Sequence, residues 1–353
     1  MPSTTFTTTS SSSSLPKTYK AVVISKPDQP LTVSTRELRA PSATEVLIKV
    51  LACGVCGTDL HISQGLLGTA LFPRVPGHEL VGDVVSVGSS VTRVSPGDRV
   101  GGAWHGGHDG TCRTCLRSQF QMCDNREVNG VNRDGGYAEY VILRAEAVVR
   151  VPRALQPAQA APLMCAGVTV FNAMRKLQVE QGNLVAIQGV GGLGHLAIQY
   201  ACKMGYRVVA LSRGSSKREF ALEMGAHEYI DTEKEDAAAA LAKRGGAAII
   251  CVTAPNAKAI SPLVNGLQPG GKLLVLAPVG SIDIDANALI SKGSSVHGFS
   301  TGHALDVEEA LQFALDHKVE CIIEKFSLHE ANEAMEKIKD GSIRFRGVLV
   351  MDQ

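Results

Sequence analysis

A glycine motif constrains the fold of this chain more than any other feature. Gly189, Gly191 and Gly194 follow an apolar run. The run Leu184–Gln188 is typical of a buried strand, and residues 193–204 predict a helix. In such a unit one glycine permits a tight turn, the next lets a pyrophosphate approach the backbone, and the third lets helix and strand pack closely. The motif predicts a dinucleotide site; a glycine turn in another α/β protein is the alternative.

The 353 residues exceed what one hydrophobic core usually organises, so the length predicts two domains. Short β-rich runs between Gly, Pro and Asp predict a mainly β, barrel-like part; they are residues 21–24, 45–51, 80–87 and 137–143. Apolar runs that alternate with helical stretches predict a parallel sheet covered by helices; they are residues 184–188, 208–211, 247–252 and 273–276. Two amphipathic helical segments and a strand at 347–351 follow.

The charge balance favours a small-molecule partner. A formal net charge of +1 gives no reason to expect nucleic acid, an anionic membrane or an acidic protein. Residues 1–18 are rich in Ser and Thr and lack the features of a secretory or organelle-targeting segment, so they predict a disordered tail. Without an apolar run long enough to cross a bilayer, the sequence predicts a soluble, cytoplasmic protein.

The spacing of the nine cysteines points to metal rather than to disulfides. Three of them are crowded into a Gly-rich loop at 112–123. Elsewhere, widely separated Cys, His and Cys residues could assemble a tetrahedral zinc site with one open position. His78 and Cys165 suit such a site, while spacing alone does not choose between Cys53 and Cys56.

These segments and the glycine motif, in this order, resemble the zinc-containing medium-chain alcohol dehydrogenase family from about Tyr19 to the C-terminus. The resemblance implies an α/β fold in which a Rossmann doubly wound parallel-sheet cofactor domain interrupts a GroES-like, mainly β catalytic domain. The expected boundaries are 1–18 for the tail, 19–165 and 303–353 for the catalytic domain, and 166–302 for the cofactor domain.

The resemblance also implies a catalytic zinc held by Cys56 rather than Cys53, and by His78 and Cys165. Glu79 would lie beside the metal, either as an occasional ligand or as a residue that contacts a ligand. The family pattern implies three further catalytic residues. Asp59 would orient the ligand histidine. Thr58 would start a proton relay, and His61 would stand at its outer end. An ordinary surface histidine is the alternative for His61.

A second, structural zinc is implied by the Gly-rich loop. Family members have four cysteines there; this chain keeps Cys112, Cys115 and Cys123 and has Asp109 at the first position. Its carboxylate can ligate zinc through oxygen, while His108 or His105 could substitute, and loss of the metal is a further alternative.

The end of the second predicted strand favours NADP(H) over NAD(H). An NAD-selective site normally carries an acidic residue there, but this chain has Ser212 and Arg213, with Lys217 close behind. A solvated basic turn is the alternative. The other implied cofactor and substrate positions are Gly192 and Leu193 in the glycine loop, Thr169 beside the nicotinamide, Arg346 near the pyrophosphate, and Trp104 as a wall of the substrate pocket.

The sequence therefore predicts a zinc-dependent alcohol dehydrogenase or aldehyde reductase that moves a hydride between NADP(H) and a primary alcohol or aldehyde. One alternative is a zinc-independent, NADPH-dependent enoyl or quinone reductase of the same superfamily, and another is a non-enzymatic binding protein on this fold. By resemblance, a homodimer or homotetramer is expected, paired through an edge strand near residues 295–299.

Overall fold

The computed structural model describes residues 15–68 and 70–352. Residues 1–14 of the predicted tail therefore lie outside the described residues. Strands of the N-terminal, mainly β part are β1 (Thr18–Val23), β2 (Thr32–Glu37), β3 (Glu45–Val55), β4 (Leu80–Val87), β5 (Arg99–Gly102), β6 (His105–Gly107), β7 (Glu127–Val128), β8 (Tyr140–Arg144) and β9 (Val148–Arg150). The remaining strands are β10 (Leu184–Gln188), β11 (Arg207–Ser212), β12 (Glu228–Asp231), β13 (Ala247–Val252), β14 (Leu267–Val275), β15 (Ser295–Gly298), β16 (Ile323–Ser327) and β17 (Arg346–Val350).

The helices connect and cover these strands. They are α1 (Gly57–Ser63), α2 (Pro157–Ala160), α3 (Ala166–Lys176), α4 (Gly194–Lys203), α5 (Arg218–Glu223), α6 (Ala237–Ala242), α7 (Ala257–Ile260), α8 (Ala286–Lys292), α9 (Ala304–His317) and α10 (Ala331–Asp340). Short 3-10 helices cover Cys115–Arg117, Phe120–Met122, Ala145–Ala147, Ala161–Met164, Ser261–Gly266 and Leu328–Glu330. Within the described residues, no helix has the length and apolar character that crossing a membrane requires.

One sheet joins the N-terminal part to the end of the chain. Its order is β16-β17-β3-β4-β5-β9, and β8 also pairs with β3. The long strand β3 is the centre of this sheet, since it pairs antiparallel with β17, β4 and β8. Two separate hairpin-like pairs, β1 with β2 and β6 with β7, lie beside it. The C-terminal segment thus completes the mainly β part of the fold.

The second sheet is entirely parallel, with the order β12-β11-β10-β13-β14-β15. Four of the five residues of β10 are buried, as expected for a parallel strand with helices on both faces. The strand order reverses between β10 and β13, and ligands of doubly wound folds bind at this point, beyond the carboxyl ends of the strands. The glycine motif follows β10 at that place, so the predicted Rossmann fold is confirmed.

Helices α3 and α9 pack where the two sheets meet. Nine of the eleven residues of α3 are buried, and they share one apolar core with Val81 of the first sheet and Ile187 of the second. Because this core is continuous, the domain boundaries at 165/166 and 302/303 stay predictions. The sequence reasoning missed β12, whose residues Glu228–Asp231 include two acids and therefore do not form an apolar run.

Candidate active site and metal centres

Four predicted ligands converge in the interior. The ligand atoms of Cys56, His78, Glu79 and Cys165 all lie within 4.8 Å of one another, and we call these residues the buried cluster. Each comes from the end of an element: Cys56 precedes α1, His78 and Glu79 precede β4, and Cys165 precedes α3. The fold therefore brings three distant segments to one point between the two sheets.

Cys53 lies outside this cluster. It is fully buried in the apolar core of the first sheet, and its Sγ lies 3.7 Å from the carbonyl oxygen of Gly54. Burial raises the pKa of its thiol well above the usual value. The structure thus places Cys56, and not Cys53, among the candidate ligands, as the family resemblance implies.

Several polar atoms of the buried cluster have no hydrogen-bond partner. They are both ring nitrogens of His78 and Oε2 of Glu79. A buried polar atom without a partner costs free energy, so it calls for an explanation such as a bound ion. Two cysteine sulfurs, an imidazole nitrogen and a carboxylate oxygen are a donor set that zinc prefers. The residues present therefore fit a zinc ion.

The two thiols of the cluster have opposite pKa shifts. The hydrogen bond with Cys165 lowers the pKa of Cys56 well below its usual value; burial opposes this, and the nearby His78 assists it. The same bond, together with burial, raises the pKa of Cys165. One thiolate is thus favoured even with the protein groups alone, and a thiolate is the form that binds metal.

Asp59 lies beside His78, the ligand histidine that it is expected to orient. Its carboxylate is fully buried, and Oδ1 lies 3.3 Å from Nδ1 of His78. It also accepts hydrogen bonds from the backbone N–H of Cys56 (2.9 Å) and of Gly77 (3.3 Å), and from the hydroxyl of Tyr137 (3.2 Å). With Nδ1 of His78 beside this carboxylate, Nε2 would be the nitrogen left to bind a metal. Sequence reasoning missed Tyr137, which lies 78 residues from Asp59 and carries no local signal.

A buried ion pair connects the cluster to the glycine loop. Arg346 donates a hydrogen bond to Oε1 of Glu79. Burial raises the pKa of Glu79 to about 7, although the charge of Arg346 opposes the shift. A Cβ built on Gly192 would lie 3.2 Å from Cδ of Arg346, and one built on Gly54 would lie 1.9 Å from Oε2 of Glu79. The pair therefore occupies the gap between the two sheets, against two glycines.

The predicted relay and pocket residues lie at different distances from the buried cluster. Oγ1 of Thr58 lies 3.6 Å from Sγ of Cys56. The ring of Trp104 meets that of His78 edge-on, with 5.1 Å between centroids. His61 is partly exposed in the last turn of α1. Thr58 and Trp104 are thus next to candidate ligands, while His61 lies further out.

The glycine loop has the backbone geometry that its motif predicts. Gly189 has φ +95, and a Cβ on it would lie 2.6 Å from that of Ala254. A Cβ on Gly194 would lie 1.9 Å from the carbonyl oxygen of Gly189. A Cβ on Gly191 would instead point into open space, with nothing within 4 Å. The loop is therefore closely packed on the side of the sheet and open at Gly191, a shape that fits a pyrophosphate. Leu193 is the last residue of the loop before α4 begins.

His195, which sequence reasoning did not single out, ties this loop to the end of the chain. It is fully buried; its Nδ1 lies 2.9 Å from the carbonyl oxygen of Gly191, and its Nε2 accepts from the N–H of Ile322 at 3.3 Å. Burial lowers the pKa of His195 to about 4, so the ring is neutral near pH 7.

The predicted residues for the ribose end lie beside the glycine loop. Ser212 is the last residue of β11, and Arg213 follows it on the surface. Nζ of Lys217 donates to the carbonyl oxygen of Val190 at 2.8 Å. Thr169 lies one turn after Cys165, and its N–H donates to the carbonyl oxygen of that residue at 2.9 Å.

A second group of candidate ligands forms within the Gly-rich loop. The ligand atoms of Asp109, Cys112, Cys115 and Cys123 lie within 4.8 Å of one another, and we call these residues the loop cluster. Backbone N–H groups satisfy several of these atoms. Oδ1 of Asp109 accepts from Thr111 (2.8 Å) and Cys112 (2.9 Å), and Sγ of Cys123 accepts from Asn125 (3.3 Å). The three sulfurs and one carboxylate oxygen fit a tetrahedral zinc.

The two histidines that could replace Asp109 as a ligand lie outside the loop cluster. Nε2 of His105 lies 3.1 Å from Nδ1 of His108, and the ring of His108 stacks on Phe120 with 4.3 Å between centroids. In the part of the chain that the structure describes, the loop cluster contains Asp109 and neither histidine.

Comparisons with known proteins agree with this arrangement. Residues 42–153 match the alcohol dehydrogenase GroES-like domain, and residues 192–316 match the zinc-binding dehydrogenase family. The alcohol dehydrogenase patD of Penicillium expansum is 53% identical over 339 residues, which cover 96% of this chain and 99% of that protein.

Solved structures of similar proteins cover nearly the whole chain. A cinnamyl alcohol dehydrogenase from Sorghum bicolor superposes with a TM-score of 0.86 at 32% identity, covering 95% of this chain and 98% of that one. The CAD from Helicobacter pylori, solved as a complex with NADP(H), has a TM-score of 0.85 at 25% identity, covering 94% and 98%.

Proposed function

The chain belongs to the zinc-type medium-chain dehydrogenase/reductase family, and we propose that it is a zinc-dependent alcohol dehydrogenase or aldehyde reductase. It would transfer a hydride between NADP(H) and a primary alcohol or aldehyde. The observation that carries the proposal is the buried cluster, whose unpartnered histidine and carboxylate atoms face two cysteine sulfurs beside the glycine loop.

The buried cluster would hold the catalytic zinc, with Cys56, His78 and Cys165 as ligands. When bound, zinc supplies Lewis acidity at the substrate oxygen and the nicotinamide accepts or gives the hydride. Asp59 keeps His78 oriented, and Glu79 lies next to the ligands, charge-paired with Arg346. The loop cluster would hold a second, structural zinc.

Proton transfer would begin at Thr58, whose hydroxyl lies beside the candidate ligand Cys56. This hydroxyl would accept the proton of the substrate alcohol and pass a proton outward, and the partly exposed His61 would release it to solvent. Trp104, packed edge-on against His78, would form one wall of the substrate pocket. A large rigid wall favours primary over branched carbons, which supports primary alcohols and aldehydes as the substrate class.

The cofactor would be NADP(H) rather than NAD(H). Ser212 ends the strand at which the ribose binds in this fold, and Arg213 and Lys217 are the nearby cations. The NADP(H) complex of the Helicobacter pylori CAD supports a nicotinamide dinucleotide as the cofactor. Pyrophosphate would rest at Gly191, beside Gly192 and Leu193, with Arg346 behind the loop and Thr169 on the nicotinamide side.

A homodimer or homotetramer would form through β15. This strand is one of the two edges of the parallel sheet in the described residues; it pairs with β14, and its residue Val296 is 39% exposed. An open edge with an exposed apolar side chain can pair with the same strand of a second copy.

The test uses purified full-length protein. Bound zinc is measured, and NADPH- and NADH-dependent reduction of an aldehyde panel is then followed before and after chelation. We expect turnover that prefers NADPH and that disappears with the zinc of the buried cluster. Turnover that survives complete removal of this zinc would favour a zinc-independent reductase, and no turnover of any carbonyl compound would contradict the proposal.

A further inference from the structure

A third cation, Arg344, lies near Arg213 and Lys217, which follow the end of β11. Arg344 lies in the segment just before β17, more than a hundred residues from Arg213 in sequence. Its neighbour Phe345 packs against Phe220 of α5 and against His195, with ring centroids 4.9 Å and 5.2 Å apart. The guanidinium carbon of Arg344 lies 5.5 Å from the centroid of the Phe345 ring. This stack brings Arg344 beside the start of α5, where Lys217 lies.

Both arginines are within electrostatic reach of Lys217. Burial lowers the pKa of Lys217, and the charges of Arg344 and Arg213 lower it further. Lys217 is fixed by its hydrogen bond to the carbonyl oxygen of Val190 (2.8 Å) in the glycine loop. Arg213 and Arg344 are exposed.

Of the acidic groups nearby, Asp231 and Glu324 are already engaged, while Oε2 of Glu233 lies 3.6 Å from a Cβ built on Gly214. Oδ1 of Asp231 accepts from the backbone N–H of Gly214 and of Glu233. Glu324 accepts from the backbone N–H of Arg344 at 2.7 Å and forms an ion pair with Lys337 at 3.0 Å. In residues 15–68 and 70–352, neither Arg213 nor Arg344 forms an ion pair. Cations that lack an ion-pair partner repel one another, and a bound anion would relieve the repulsion of Lys217 by the two arginines.

We propose that Arg344 is a specificity-determining residue whose guanidinium binds the 2′-phosphate of NADP(H) together with Arg213 and Lys217. The inference rests on the proposed function. The position of Arg344 supports this role as well as its charge, because the ribose of a dinucleotide in this fold lies at the end of the strand that corresponds to β11, next to Ser212. Guanidinium groups suit a phosphate because they donate two hydrogen bonds at once.

The segment of residues 344–346 would then serve both ends of the cofactor site. Arg346 lies against Gly192 and pairs with Glu79, while Arg344 reaches the ribose end two residues earlier. Residues from both sheets would then determine selectivity for the phosphorylated cofactor. Arg213 follows β11 of the parallel sheet, whereas Arg344 precedes β17 of the first sheet.

The test measures binding of two adenosine fragments to the zinc-loaded full-length protein by calorimetry. The fragment 2′,5′-ADP carries the 2′-phosphate, and 5′-AMP lacks it. We expect Arg344→Gln to weaken binding of 2′,5′-ADP about tenfold and to leave 5′-AMP unchanged. Arg344→Lys should fall between, because an ammonium keeps the charge and loses the two-point geometry.

Arg207→Gln is the matched control. Arg207 is the exposed first residue of β11, at the opposite end of the strand from Ser212, so its substitution removes the same charge far from the ribose. Unchanged 2′,5′-ADP binding in Arg344→Gln, with a loss in Arg213→Gln, would overturn the role of Arg344 and leave the proposed function standing. Equal binding of the two fragments by the unaltered protein would instead refute the NADP(H) preference itself.

Discussion

The buried cluster and the loop cluster contain similar ligand types but are built in different ways. Ligands of the buried cluster come from three segments that span residues 56–165, whereas the loop cluster comes from residues 109–123 alone. Polar atoms of the first lack partners, while backbone N–H groups bond to the ligands of the second. One site therefore depends on the whole fold, and the other organises only its own loop.

This difference predicts which of the two clusters is needed for turnover and which for stability. In the buried cluster Glu79 is paired with Arg346, so the two cysteines and the histidine would be the ligands and one position would stay open for a substrate. In the loop cluster all four groups can bind one ion, which leaves no position for a substrate. We therefore expect loss of the first site to stop turnover and loss of the second to lower stability.

The largest expected effect comes from Cys56→Ala. Removal of this ligand should lower turnover by about a thousandfold or more, since metal polarisation contributes several kcal/mol to the barrier. One of the two zinc ions expected per chain should be lost, while NADPH should still bind, because the glycine loop does not depend on this thiol. Zinc analysis, steady-state kinetics and NADPH titration measure the three quantities.

Cys53→Ala is the control for that variant. Cys53 is a fully buried thiol three residues earlier in the chain, and its Sγ lies outside the cluster. This variant should keep both zinc ions and most of the turnover, with a modest loss of stability from the small cavity. If Cys56→Ala lost both zinc ions, or lost NADPH binding together with the metal, the separation between the clusters would be wrong.

Asp59→Asn should have the next largest effect, limited to the buried cluster. An amide can keep the shape but cannot supply the negative charge beside Nδ1 of His78, so zinc affinity should fall about 10–100-fold. Tyr137→Phe removes only one hydrogen bond to the same carboxylate, at 3.2 Å, and should cost less. Competition with a zinc chelator measures both affinities. Equal effects of the two variants would show that the hydroxyl, rather than the charge, holds the histidine.

The sequence made part of this comparison predictable. Apolar runs and the glycine motif predict the strands of the parallel sheet and its turn, because such features are local. The choice of Cys56 over Cys53 required family resemblance, since both lie in one short segment. Contacts between distant residues, such as Tyr137 with Asp59, have no local signal. The preference for Asp109 over two nearby histidines likewise depends on how the loop turns, and spacing does not reveal it.

Cys123→Ala should destabilise the protein without changing its chemistry. Cys123 is fully buried, and its sulfur accepts a backbone hydrogen bond from Asn125, so its loss opens the loop cluster. A metal cross-link of this kind resembles a disulfide in its effect, and we expect a loss of about 2–4 kcal/mol, or roughly 5–10 °C in Tm. Thermal unfolding measures this. Turnover per zinc ion of the buried cluster should stay close to the original, and its disappearance at temperatures where the chain is folded would contradict the comparison.

The smallest and sharpest effect is expected at Asp109, which has two possible roles. Its Oδ1 accepts the N–H of Thr111 and Cys112, and these hydrogen bonds lower the pKa of the carboxyl, so it is ionised near pH 7. Asp109→Asn retains the oxygen that makes the turn and removes the charge that binds a cation. If Asp109 is a ligand, this variant should weaken zinc retention in the loop cluster about tenfold, with no change at the buried cluster. If Asp109 only shapes the turn, Asp109→Asn should behave like the original protein and Asp109→Ala should not. Zinc release from the loop cluster during stepwise chelation distinguishes the two roles, because Asp109→Asn keeps a carbonyl oxygen for the turn, whereas Asp109→Ala removes the whole polar group.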